Sequence, residues 1–147
     1  MYQHLLVPVD GGELSERAMA ESIALARKLD ASITGFVAEP DPVLPAVGRH
    51  PAVVLREHEQ AEAAAASHAR QILDVFRARA QAAGVPFSGH YARTTHIDDA
   101  IVQAAGEHGC DLIVMATHGR GTLGELLFGS HTKAVLGRCK LPLLVLH

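Results

Sequence analysis

The sequence predicts an α/β domain in which an open sheet of five parallel strands carries four main helices, divided between its two faces. Two observations lead there. Short apolar or alternating runs recur at residues 5–9, 31–38, 87–92, 112–116 and 143–146, and a segment with apolar residues at helical spacing separates each run from the next. That alternation favours right-handed crossovers and puts ligand sites outside the carboxyl ends of the strands. At 147 residues the chain fits one domain with one continuous core, and no linker, internal repeat or second domain interrupts 1–147.

Each element has a local reason. Residues 5–9 read as a buried strand that Asp10-Gly11-Gly12 breaks, after which Ala18, Met19, Ile23, Ala26 and Leu29 share one helical face. Following the second strand, Glu39-Pro40-Asp41-Pro42 and Pro45 stop regular structure and predict a loop over 39–51. The longest helix is expected over 52–83, where Ala65, Ala69, Ile72, Phe76, Ala80 and Ala83 keep helical spacing until Gly84. Its alanines at 61–66 reflect helix propensity. A weak alternation over 87–92 gives the third strand, and Ile97, Ile101 and Ala104 mark a third helix capped near Thr95 or Asp98 and closed by Gly109. Residues 112–116 form the fourth strand, 130–139 the fourth helix, and 143–146, after Pro142, the last strand.

Composition excludes several functions. A net charge of −3 and the absence of Trp argue against long nucleic acids, which need clustered cations or stacking aromatics. No stretch approaches 18 apolar residues, and the start Met1-Tyr2-Gln3-His4-Leu5-Leu6 has neither a basic region nor a long apolar one, so a soluble cytoplasmic protein without membrane contact is expected. Cys110 and Cys139 form no CxxC pair and read as reduced structural thiols. Among the 10 histidines, His58 and His68 stand ten apart and no HExxH or close His/Asp cluster occurs, so no metal site is expected. No GxSxG elbow nominates a nucleophile, and no catalytic residue is assigned.

The chemistry-bearing stretch is Ala116-Thr117-His118-Gly119-Arg120-Gly121-Thr122-Leu123-Gly124-Glu125-Leu126-Leu127-Phe128-Gly129-Ser130, directly after the apolar Leu112-Ile113-Val114-Met115. A buried strand emptying into a glycine-rich loop and a helix start gathers backbone N–H groups and the positive helix end around an anion, for which phosphate is the natural choice. The same glycines also suit a plain turn between strand and helix. Gly119-x-Gly121-x-x-Gly124 matches a dinucleotide fingerprint, but Glu125 is the last acidic residue of the chain, so the ribose acceptor expected about 20 positions later is missing. Gly124-x-x-x-x-Gly129 opens like a Walker loop, yet Ser130-His131 replaces its Lys-Ser/Thr, which argues against efficient phosphoryl transfer. A third reading joins Gly119, a nine-residue spacer and Gly129-Ser130 into one phosphate cradle.

With that spacing the chain resembles the universal stress protein family, whose pattern is Gly, two residues, Gly, nine residues, Gly, then Ser or Thr. The resemblance extends to Leu5-Leu6-Val7-Pro8-Val9-Asp10-Gly11 and to Leu141-Pro142-Leu143-Leu144-Val145-Leu146, spanning nearly the whole chain. It implies a Rossmann-like sheet in the order 3-2-1-4-5 and a regulatory or protective, stress-responsive protein that binds ATP, with or without Mg2+, and hydrolyses it slowly at most. Asp10 is similar in position to an acidic residue near the adenosine, and Val37 to a backbone contact for the adenine ring. Gly119, Gly129 and Ser130 match phosphate-binding positions, with His131 following them. Pro8, Met115, Ala116 and His118 complete the implied cofactor-binding set, although His118 is given no chemical role.

Two positions depart from the pattern: Ala116 replaces its first Gly, and Gly12 stands where Ser is common. If position 116 needs φ > 0, a Cβ there costs about 1–2 kcal/mol; if it ends a strand, the methyl matters only by crowding the ligand. Asp10 caps the first helix, touches ribose, or does both, and Ser130 has the same two roles open. The order 3-2-1-4-5 leaves the apolar Leu143–Leu146 at a sheet edge, which implies a homodimer pairing these strands unless a helix and loop cover them. The alternatives to a nucleotide-binding regulator are a nucleotide-free dimeric interaction module of the same fold and, less well supported, a nucleotide-dependent enzyme.

Overall fold

In the computed structural model, residues 1–41, 44–116 and 130–147 are described, without the side chains of Ser130, His131, Thr132 and Leu136. Among the described residues nine elements alternate in chain order: β1 His4–Pro8, α1 Glu13–Leu29, β2 Ser32–Pro40, α2 Pro51–Ala82, β3 Phe87–Thr94, α3 Ile97–Glu107, β4 Leu112–Ala116, α4 Ser130–Arg138 and β5 Leu143–Leu146. The strands form one sheet in the order β3-β2-β1-β4-β5, with every neighbouring pair parallel.

Alternation along the strands builds two cores, one on each face of the sheet, where one continuous core was expected. Leu5, Val7, Val9, Ile33, Val37, Leu112 and Val114 face the side covered by α1 and α2, where they meet Ala18, Met19, Ile23, Ile72 and Phe76. Leu6, Phe36, Ile113 and Met115 face the other side, packing with Ile101, Ala104 and Ala105 of α3 and Val135 of α4. Gly35 makes room on the first side: a Cβ there would lie 2.7 Å from Phe87 and 3.1 Å from Phe76, whose rings pack 4.8 Å apart.

Three helices end alike. The N–H groups of Ala31, Val85 and Cys110 reach back to the carbonyls of Ala26, Ala80 and Ala105, each at 2.9 Å, behind a residue with positive φ. Those residues are Asp30, Gly84 and Gly109, and each Schellman-type stop turns a buried side chain into the strand that follows.

Several boundaries differ from expectation. β1 begins one residue earlier and ends at Pro8, and β2 begins at Ser32 rather than residue 31. The loop predicted from residue 39 starts later, because β2 runs through Glu39 and Pro40, which pair with Arg93 and Thr94 of a β3 likewise extended to Thr94. Pro40 is tolerated as the last residue of its strand, where the missing N–H interrupts no further ladder. Pro51 opens α2 at its first turn, with His50 Nδ1 accepting from Ala52 N at 3.1 Å. The N-cap of α3 is His96, not Thr95 or Asp98; Thr94 Oγ1 accepts from His96 N at 2.9 Å and fixes the entry. α3 closes at Glu107 ahead of Gly109, and α4 stops one residue before Cys139.

Candidate functional site

The sheet opens at its switch point. β1 and β4 pair at Leu5↔Leu112 and Leu6↔Ile113, while β1 continues to Pro8 and β4 to Ala116, so the carboxyl ends of these central strands flank a crevice. A pocket fills it. Pro8, Val9 and Asp10 come from the end of β1, Ala38 from β2 and Ala116 from β4, while Leu14, Ser15 and Ala18 of α1 and Ile97 and Ile101 of α3 form the side walls. Apolar walls with a carboxylate at one side suit a ligand that is part ring and part polar.

Asp10 is held by a local lock. The buried hydroxyl of Ser15 donates to Asp10 Oδ1 at 2.8 Å and accepts from the N–H groups of Asp10 at 2.8 Å and Gly11 at 3.0 Å. Oδ1 also accepts from Gly12 N at 2.9 Å. These bonds use one carboxylate oxygen, and among the described residues none reaches Oδ2. The N-cap of α1 is Gly12, so Asp10 does not cap that helix; it braces the turn two residues ahead of it. Gly11, with φ +84, makes the turn possible.

The structure brings Pro8, Asp10 and Ala116 to one pocket. Val37 is 1% exposed, its side chain in the α1/α2 core, and the side chain of its neighbour Ala38 lines the pocket. Met115 packs into the α3/α4 core beside Ala116. Ser130 and His131 open α4, whereas His118, Gly119 and Gly129 lie outside the described residues. Ala116 bears no backbone strain: it is the last residue of β4, paired with Leu146, and among the described residues only Asp30 is a non-glycine with positive φ. Its Cβ carries no conformational cost, and its half-buried methyl is part of the pocket wall.

Sequence reasoning missed the walls and one polar pair. Ile97 and Ile101 read as core because core and pocket walls share the same helical spacing. The pair is Glu39 and His68, 29 residues apart: Glu39 Oε1 lies 2.5 Å from His68 Nδ1, with the carboxylate side chain 11% exposed and the ring 54% exposed. At the opposite end of the sheet, His4 Nε2 contacts buried Thr34 Oγ1 at 2.6 Å, and Thr34 contacts Ser88 at 3.1 Å. Burial pushes the nearby Cys110 thiol up to about 11, although the Thr34 hydroxyl opposes this, so it is not a nucleophile at neutral pH. Among the described residues no group of three His, Cys, Asp or Glu side chains is placed to hold a metal ion, and no helix is long and apolar enough to cross a membrane.

Comparison with known proteins agrees with this architecture. A family model described as the universal stress protein family matches residues 1–147. A universal stress protein of Methanocaldococcus jannaschii is 27% identical over 150 residues, covering 99% of this chain and 82% of the relative. Among solved structures, a universal stress protein in complex with cAMP superposes with a TM-score of 0.71 at 27% identity, covering 99% of this chain and 97% of that one. The universal stress protein of Archaeoglobus fulgidus in complex with dAMP gives 0.63 at 20% identity, covering 99% and 98%.

Proposed function

Because the chain belongs to the universal stress protein family, we propose that it is a cytoplasmic regulatory protein of the stress response that binds an adenine nucleotide at the carboxyl edge of its sheet. The ligand is ATP, with or without Mg2+, hydrolysed slowly at most. The observation that carries this reading is the pocket at the β1/β4 crevice, where Pro8, Asp10 and Ala116 converge. Asp10 Oδ2 is the acceptor for a ribose hydroxyl, and the backbone at Val37 and Ala38 borders the base. The phosphates extend toward Gly119, Gly129, Ser130 and His131, where the start of α4 offers N–H groups without helical partners. The complexes of two structural relatives with cAMP and dAMP support a ligand of this class.

The chain acts as a homodimer through Leu143–Leu146. β5 stands at the edge of the sheet, and its four apolar residues are only half-buried or, for Leu144, 37% exposed, which leaves apolar edge surface for a second copy. A second reading, a nucleotide-free interaction module, is favoured by the Ala116 methyl in the pocket wall. Mass spectrometry of small molecules released on denaturing the purified protein separates the two: adenine nucleotide supports binding, and clean protein favours the module.

A further inference from the structure

We propose that the stacked rings of His90 and His108 form an acid-sensitive latch holding α3 to the sheet, and that its release in mild acid loosens the pocket wall this helix builds. The link to the pocket rests on the binding site proposed above; the latch itself does not. α3 joins the two places. Its first turns give Ile97 and Ile101 to the pocket, while its C-cap, His108, stacks on His90 of β3 with ring centroids 4.0 Å apart and planes 17° from parallel. The 11 residues of α3 make one unbroken helix about 16 Å long, so a tilt at one end reaches the other. Its buried residues are Ile101, Ala104 and Ala105, and only the first is large. The ring stack therefore supplies much of the contact at the carboxyl end.

The surroundings of the stack resist a second positive charge. Burial lowers the pKa of His90, with His108 and Arg77 of α2 adding to it, and burial lowers that of His4 on β1, with Asp111 opposing and His108 adding. Asp111 is itself engaged by the N–H groups of Gln3 and His4 at 2.9 and 3.0 Å. Glu107, on the last turn of α3, accepts from Gln103 at 2.6 Å, and the Cys110 thiol, pushed up to about 11 by burial, stays neutral. Above the ordinary histidine range near pH 6.5 the rings stack as neutral partners. As pH falls, the histidines take on charge beside Arg77, and two imidazolium rings 4.0 Å apart repel. Parting the rings relieves this, since His90 is already exposed and turns to water.

The test is amide hydrogen exchange of α3 without ligand, at pH 7.5 and 5.5 after correction for the intrinsic rate, in wild type, His90→Gln and His108→Gln. Glutamine is polar but takes up no proton. In wild type, α3 is expected to exchange about threefold to tenfold faster at pH 5.5 while α1 is unchanged, and in both variants the two rates should agree. Wild type should also lose more ATP affinity between the two pH values than either variant, a comparison in which the titration of ATP itself cancels. Unchanged α3 exchange in wild type, acceleration shared with α1, or equal acceleration in the variants overturns the latch. A faster α3 with the same affinity loss in all three proteins overturns its link to the pocket. A wild type that binds no ATP at either pH refutes the binding site and with it that link, while α3 exchange still decides the latch.

Discussion

The Ser15 hydroxyl sits 2.8 Å from both Oδ1 and the backbone N–H of Asp10, so one buried side chain on α1 sets both the carboxylate and the turn that presents it. Ser15→Ala leaves the Asp10 and Gly11 amides without that acceptor. The variant is expected to lose about 1–2 kcal/mol of stability and to bind adenine nucleotide more weakly. Urea unfolding and nucleotide titration check both; full retention of both would show that the turn is held by other contacts.

Asp30 holds a left-handed conformation, φ 54 and ψ 43, at the end of α1, and places a negative charge beside the helix carboxyl end. Asp30→Gly removes both penalties and should stabilise the fold by about 1 kcal/mol. A denaturation midpoint that fails to rise contradicts this.

Gly35→Ala inserts a methyl where Phe87 would stand 2.7 Å away. Neither ring can withdraw without disturbing the Phe76–Phe87 contact, so the expected cost is about 1–3 kcal/mol. A thermal melt equal to wild type would mean the rings move freely.

Acid should weaken the fold as pH falls through the histidine range. Burial lowers the pKa of His4, helped by His108 and opposed by Asp111; burial also lowers that of His90, helped by His108, whose ring stacks on it at 4.0 Å, and by Arg77 of α2. Unfolded histidines take up protons near pH 6.5. Below that point the unfolded state binds more protons than the folded one, so stability present above pH 6.5 is lost as pH falls through the lowered folded values. Unfolding free energy measured from pH 7.5 to 5 should decline, and His90→Gln should flatten the decline. A flat wild-type profile rejects the mechanism.

Much of this was legible in the sequence because period and punctuation agreed. β4 and β5 fall at the expected residues, since each is an apolar run with a clear break before it, and Gly84 and Gly109 announce the helix ends they close. Pro40 misled because proline breaks a strand only where its missing N–H is needed. At the site, Asp10, Pro8 and Ala116 were expected from the family resemblance, and all three line the pocket. Ala38 and the Glu39–His68 pair were not, because contacts between residues remote in sequence leave no spacing to read; Ser15 lies only five residues from Asp10 but belongs to no motif that announces it.

The most direct measurement is calorimetric titration of ATP with Mg2+ into the wild-type protein and into Gly129→Asp, which would set charge and bulk against the phosphates. Saturable heat from the wild type and none from an equally folded Gly129→Asp is the predicted result. Silence from the wild type at millimolar nucleotide, or undiminished affinity in the variant, would contradict nucleotide binding at this edge of the sheet.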